Sequence, residues 1–260
     1  MNFKTMLLTT AAVALTAGAA NAKDFTGSLF LPSKGEVLSN TSIDYSRAKF
    51  KHSDFAGEDL VAAEKITYGV NDNLSVYGAI ENNFDFKGLT NQEYNNDHNF
   101  GYELGAKYNW NYNNILTQIG AGYYTYQPAS WYGHKGESSD WYKEIKLEAQ
   151  LGYDMGNGLT PYTMFTAESP IDQKDREMFY SAFAGVHKTF DKAAVDTGIR
   201  YDFNTDTGAN KNMWYWQAEA NYFVRDNVAL GVYGDYYLGG TGNSEIKYDY
   251  TAGVNVKVLF

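Results

Sequence analysis

Four histidines and a surplus of carboxylates are what could do chemistry in this 260-residue chain. His52, His98 and His134 fall at or beyond the ends of segments that read as strands, with Asp54 and Asp97 close to two of them. A His–Asp pair at a rim could activate water for hydrolysis of a lipid or a peptide. The plainer reading is that polar residues belong in loops, and it is preferred here. His187 lies near a short turn and shows no partner in the sequence. A Ser–His pairing of the lipase kind occurs only as the loop dipeptide His52-Ser53. Asp202, Asn204, Asp206, Gly208 and Asn210 alternate oxygen ligands as a calcium loop does. The glycine comes one place late and no closing Glu follows, so ordinary turn composition explains them better. Gly120-Ala121-Gly122 has no helix after it and is no nucleotide motif. With no Cys there is no disulfide, thiolate metal site or Cys nucleophile. No metal and no cofactor are expected.

The elements that must position these residues are strands. Period-two alternation runs through most of the chain. Tyr250, Ala252, Val254, Val256, Val258 and Phe260 share one face, and Thr251, Gly253, Asn255 and Lys257 share the other. Phe100, Tyr102, Leu104, Ala106, Tyr108 and Trp110 alternate with Gly101, Glu103, Gly105, Lys107 and Asn109. Ile145, Leu147, Ala149 and Leu151 do so with Glu144, Lys146, Glu148 and Gln150, and Trp214 to Tyr222 repeats the pattern. Such runs last about ten residues, longer than most soluble strands and close to what crosses a bilayer at a tilt. Their polar faces are rich in Gly and charge, as a lumen would be, and aromatics gather at the ends of the apolar faces, where interface girdles would lie. The tyrosines, phenylalanines and tryptophans are therefore expected to face lipid and its two interfaces. A closed barrel is also the only sheet that leaves no backbone unpaired in lipid.

Short turns at Asn71-Asp72-Asn73, Asn111-Tyr112-Asn113, Gly156-Asn157-Gly158, Asp191-Lys192 and Arg225-Asp226-Asn227 alternate with longer polar stretches near 52–57, 86–98, 127–140, 169–176, 205–211 and 239–244. These breaks predict about twelve strands, near 36–50, 58–70, 74–84, 99–110, 114–126, 141–154, 159–168, 177–190, 194–204, 212–224, 228–238 and 246–260. The fold expected is an all-β, closed antiparallel up-and-down transmembrane barrel over residues 36–260. An even count puts both chain ends on the short-turn side. Residues 23–35 would be an N-terminal extension or a short plug. Residues 1–22 read as a secretory signal: Lys4, an uncharged run from Met6 to Ala20, and the small-x-small site Ala20-Asn21-Ala22. Pro161 sits beside a turn, where its missing donor is tolerated. Glu64 falls on the lipid face with Ala62 and Ile66, which predicts a bulge or a shifted register.

Composition narrows the function. The net charge of −10 makes nucleic acid an improbable partner. The mean hydropathy of −0.47 argues against a helical membrane protein. Alternation assigns an inward acidic set of Asp44, Glu81, Glu103, Glu144, Glu148, Asp154, Asp196, Asp202, Glu219 and Asp235, against the bases Lys65, Lys107, Lys146, Arg200 and Lys257. An acidic surplus in a narrow passage favours cations over anions. The competing reading is that these charges pair across strands and fill the interior.

The alternating strands, the turn pattern, the leader and the terminal Phe260 resemble Gram-negative outer-membrane β-barrel proteins. The resemblance covers the whole chain after the leader and picks out no subfamily. In that group the barrel assembly machinery reads a last strand that ends in an aromatic residue, which implies an assembly signal in Tyr250, Val254, Val256, Val258 and Phe260. In size the chain is similar to small twelve-stranded oligosaccharide and nucleoside channels. Those that take acidic oligosaccharides have an Arg-rich lumen, and this chain departs from them. The expectation is a passive outer-membrane channel for small hydrophilic, cationic or neutral solutes, exported through the Sec pathway. A rim hydrolase and an adhesive or structural barrel are the alternatives.

Overall fold

The structure is a computed structural model that describes residues 24–51, 56–85, 98–126, 142–171, 178–204, 212–241 and 246–260. Twelve strands follow one another: β1 Val37–Phe50, β2 Ala56–Gly69, β3 Leu74–Asp85, β4 His98–Asn109, β5 Ile115–Tyr126, β6 Tyr142–Tyr153, β7 Leu159–Pro170, β8 Phe179–Thr189, β9 Ala193–Asn204, β10 Asn212–Arg225, β11 Val228–Thr241 and β12 Ile246–Leu259. Each pairs antiparallel with its chain neighbours, and β1 closes on β12 to complete the barrel. The described residues contain no helix. All five short turns fall at one end, here the turn end, where Val37 and Phe260 exchange backbone hydrogen bonds of 3.1 and 2.8 Å.

The turn residues act as their chemistry predicts. Asn71 accepts from the amides of Asn73 and Leu74 through its side chain, each at 2.8 Å. Asn113 is the one non-glycine described residue with positive φ, at 53°.

The outer wall is apolar, with Leu104, Leu147, Val232 and Val254 each more than half exposed. Aromatic side chains flank that band. Tyr108 stacks with Trp110 toward the turn end, and Tyr201 packs on Trp214 toward the loop end. Glu64 lies on this outer face, but the register from Val37 to Lys49 against β2 is continuous, so no bulge accounts for it. Instead its carboxylate accepts hydrogen bonds from Ser39 at 2.6 Å and from Thr41, both outward-facing on β1. The bulges lie elsewhere, between Lys49 and Phe50, Trp214 and Tyr215, and Phe223 and Arg225.

The aromatic residues do not all face outward. Tyr77, Tyr124, Tyr162, Phe183, Tyr215 and Tyr233 point into the barrel, by register and by their contacts. Glycines on neighbouring strands make the space. A Cβ at Gly105 would stand 2.5 Å from the Tyr77 ring, and one at Gly253 would stand 2.5 Å from the Tyr233 ring. The rings therefore lie along the wall over bare backbone rather than across the lumen.

Candidate functional site: the barrel lumen

The inward tyrosines share one arrangement. Tyr77 donates to Glu103 at 2.7 Å, Tyr162 to Asp196 at 2.7 Å, Tyr215 to Asp249 at 3.0 Å and Tyr233 to Asp44 at 2.8 Å; Tyr124 donates to Glu81. Tyr233 reaches from β11 over Gly253 of β12 to Asp44 of β1. Each hydroxyl satisfies a carboxylate without neutralising it, so the lumen keeps negative charge in a defined geometry.

Five further inward carboxylates meet cations. Lys107 pairs with Glu148 at 2.6 Å, Lys146 with Glu168 at 3.3 Å and Lys257 with Glu219 at 2.7 Å. Arg200 lies 3.0 Å from Asp202 and 3.1 Å from Asp235, its guanidinium 4.4 Å from the Tyr215 ring centroid. Glu144 faces inward by its register with Tyr124. By strand register Asp44, Glu81, Glu103, Lys107, Glu144, Lys146, Glu148, Asp196, Arg200, Glu219, Asp235 and Lys257 lie on the inward face. Asp154 is the exception: it follows β6, is exposed, and its carboxylate caps the Gly156 amide at 2.8 Å. Asp202 turns inward to Arg200, and Asp206, Gly208 and Asn210 of the calcium-like spacing lie outside the described residues.

Residues 24–36 occupy the turn end of the lumen. Phe25 is buried with Ala229 and Leu259 and meets the Phe223 ring edge-on at 5.7 Å. Lys257 donates to the Thr26 carbonyl at 3.3 Å, Ser28 to Gln150 at 3.0 Å and Asn109 to the Leu29 carbonyl at 3.1 Å. The Gly35 amide bonds to the Gly69 carbonyl at 2.9 Å. The segment thus touches walls on opposite sides of the barrel. Above it lies a cavity of about 430 Å³ between Phe25, Ser28 and Leu31 of the segment and Asn40, Lys65, Tyr77 and Asp235 of the wall.

His187, partnerless in the sequence, is a principal anchor of this segment. Its Nε2 lies 2.6 Å from Asp24 and its Nδ1 3.3 Å from Asp196. Thr189 also donates to Asp24. Burial alone would raise the Asp24 carboxyl, yet the hydrogen bonds from His187 and Thr189 and the charge of His187 hold it well below the usual carboxylate range. The partner lies 163 residues away in the chain, so spacing could not reveal it. Thr189, His187 and Asp196 stand in the order of a nucleophile relay, but Nε2 is taken up by Asp24 and has no lone pair to offer as a base. His52, His134, Asp54 and Asp97 lie outside the described residues. His98 begins β4.

No family model matches the chain, and no curated protein does. Solved structures do. An outer membrane channel from Pseudomonas putida F1 aligns with a TM-score of 0.64 over 93% of this chain and 100% of that one, at 14% identity. The KdgM porin aligns at 0.51 over 84% and 99%, with 11% identity. The translocator domain of autotransporter NalP from Neisseria meningitidis aligns at 0.50 over 99% and 95%, also with 11% identity. At these identities the likeness is one of fold.

Proposed function

We propose that this chain is an outer-membrane channel for passive movement of small hydrophilic solutes, favouring cations and neutral molecules over anions. The observation that carries the reading is a closed twelve-stranded barrel with an apolar exterior and a polar, acid-rich interior holding a cavity of about 430 Å³. A twelve-stranded barrel is wider than the eight-stranded size that side chains fill, and narrower than a sixteen-stranded porin. The KdgM porin has also been solved in complex with oligogalacturonate, a polyanion. Here Asp44, Glu81, Glu103 and Asp249 are held by tyrosine hydroxyls rather than by cations, which opposes a polyanionic solute.

Planar-bilayer recording on the purified full chain tests the proposal. Conductance with a reversal potential shifted toward the cation is expected in a salt gradient. Absence of conductance rejects the channel, and anion preference rejects the selectivity. The proposal extends to biogenesis: residues 1–22 would be removed on Sec export, leaving Lys23 as the mature N-terminus by sequencing. Tyr250, Val254, Val256, Val258 and Phe260 would present the C-terminal strand to the barrel assembly machinery.

A further inference from the structure

Among the inward cations Lys65, Lys107, Lys146, Arg200 and Lys257, all but Lys65 lie within 3.3 Å of a carboxylate. Among the described residues the Lys65 ammonium has no carboxylate within ion-pair distance and no hydrogen-bond acceptor; Glu103 and Glu148 act on it only from farther away. It stands 4.0 Å from the centre of the Tyr77 ring, whose hydroxyl is engaged by Glu103. A cation over an aromatic face keeps its attraction for a further anion, because the ring offers electron density but no charge. Directly across the β1–β2 ladder, Asn40 is the register partner of Lys65, and both line the lumen cavity. The Asn40 Oδ1 is buried and accepts no hydrogen bond from any described group. Buried acceptors without a donor are uncommon and costly. An unpaired ammonium and an unpaired acceptor thus stand side by side in one chamber.

The rest of the chamber limits what can enter. Asp196, Glu219 and Asp235 line it as well, beside Lys107 and Lys257. Those three carboxylates meet His187, Lys257 and Arg200, so their charges are largely balanced within the wall. What stays unpaired is one ammonium and one acceptor, and a solute that satisfies both must carry a donor beside its carboxylate. We propose that the chamber is a recognition site for small zwitterions of the α-amino-acid type. The carboxylate takes Lys65 and the ammonium donates to the unpaired Asn40 Oδ1. This deepens the channel reading by naming its solute class, and it rests on that reading only for transport, since binding requires no conduction.

The test is saturation-transfer NMR on the detergent-purified full chain with L-alanine, acetate and methylammonium as probes, run beside the bilayer recording. L-alanine is expected to bind saturably, and about tenfold more tightly than either single-charge probe. Lys65→Met keeps the stem over Tyr77 and removes the charge; it is expected to weaken alanine binding about tenfold or more while the barrel retains its heat-modifiable gel mobility. Asn40→Leu should weaken alanine and leave acetate unchanged. Equal binding of acetate and alanine would overturn the proposal, as would wild-type affinity in Lys65→Met. Conductance without any alanine binding removes the site and leaves the channel. Alanine binding without conductance removes the channel and leaves the site.

Discussion

Tyr233 spans from β11 to Asp44 on β1 only because Gly253 between them has no side chain, since a Cβ there would fall 2.5 Å from the ring and 2.7 Å from Asp44. Gly253→Ala must push the ring off the wall and release the carboxylate. The expected cost is about 1–3 kcal/mol, read as a lower urea midpoint for the folded barrel. Asp24 gives a second expectation at this scale. Its carboxyl is depressed in the folded state, so the stability it lends the N-terminal segment is fully present above about pH 4 and is lost as pH falls through the lowered value. Asp24→Asn at pH 7 should show the rapid amide exchange over residues 24–30 that the wild type shows only well below pH 4. Hydrogen-exchange mass spectrometry measures both. Of these residues the sequence revealed Asp44 and Asp196 through alternation. It misdirected the tyrosines, because an aromatic residue in a barrel strand is ambiguous between lipid girdle and lumen until the glycine facing it is known. It could not pair His187 with Asp24, because that contact depends on where a non-repeating segment folds.

At the scale of elements, the strands were legible because period-two alternation and Asn, Asp and Gly turn residues agree on the same boundaries. The disagreements have local causes. The sequence reading ends β11 at Leu238, whereas the strand runs to Thr241. Tyr237 pairs with Tyr215 and Gly239 with Trp214, so Leu238 is the extra residue of a bulge and the alternation breaks there. Glu64 is the opposite case: its register is regular and the polar residue is real. On the proposed reading, in which the outer wall meets lipid, a carboxylate on that face is sustained by the two β1 hydroxyls that bond to it. Ser39→Ala combined with Thr41→Val leaves the carboxylate unsatisfied and should lower barrel stability by about 1–3 kcal/mol in a lipid-vesicle unfolding titration. Adding Glu64→Leu should restore most of that loss, since replacing both sides of a polar contact with apolar groups removes the unpaired charge.

For the whole molecule, the N-terminal segment decides how much of the lumen is free. Its contacts with Gln150, Asn109, Gly69 and Lys257 reach walls on opposite sides, so it narrows the passage across its full width. A chain lacking residues 24–35 should show a several-fold larger single-channel conductance than the full chain, with cation preference kept, because Asp44, Glu81 and Glu103 remain in place. An unchanged conductance would mean that the constriction lies elsewhere. The sequence could offer these residues only as an extension or a plug, because a segment without periodicity carries no sign of the surface it meets.

The reciprocal bonds between Val37 and Phe260 have a kinetic consequence. Every strand pairing but one joins neighbours in the chain and can form as a local hairpin or meander. The β1–β12 seam joins the two ends of the strand sequence and carries the greatest loop-closure entropy. Eleven pairings can accumulate while two sheet edges stay open, and the last removes both edges at once. Phe25 packs on Leu259 and Thr26 takes Lys257, so the N-terminal segment rivets the same seam from within. Zipping of the final seam, rather than growth of the sheet, is then the slow step of folding. A chain shortened at its N-terminus would reopen first along the line where it was last closed.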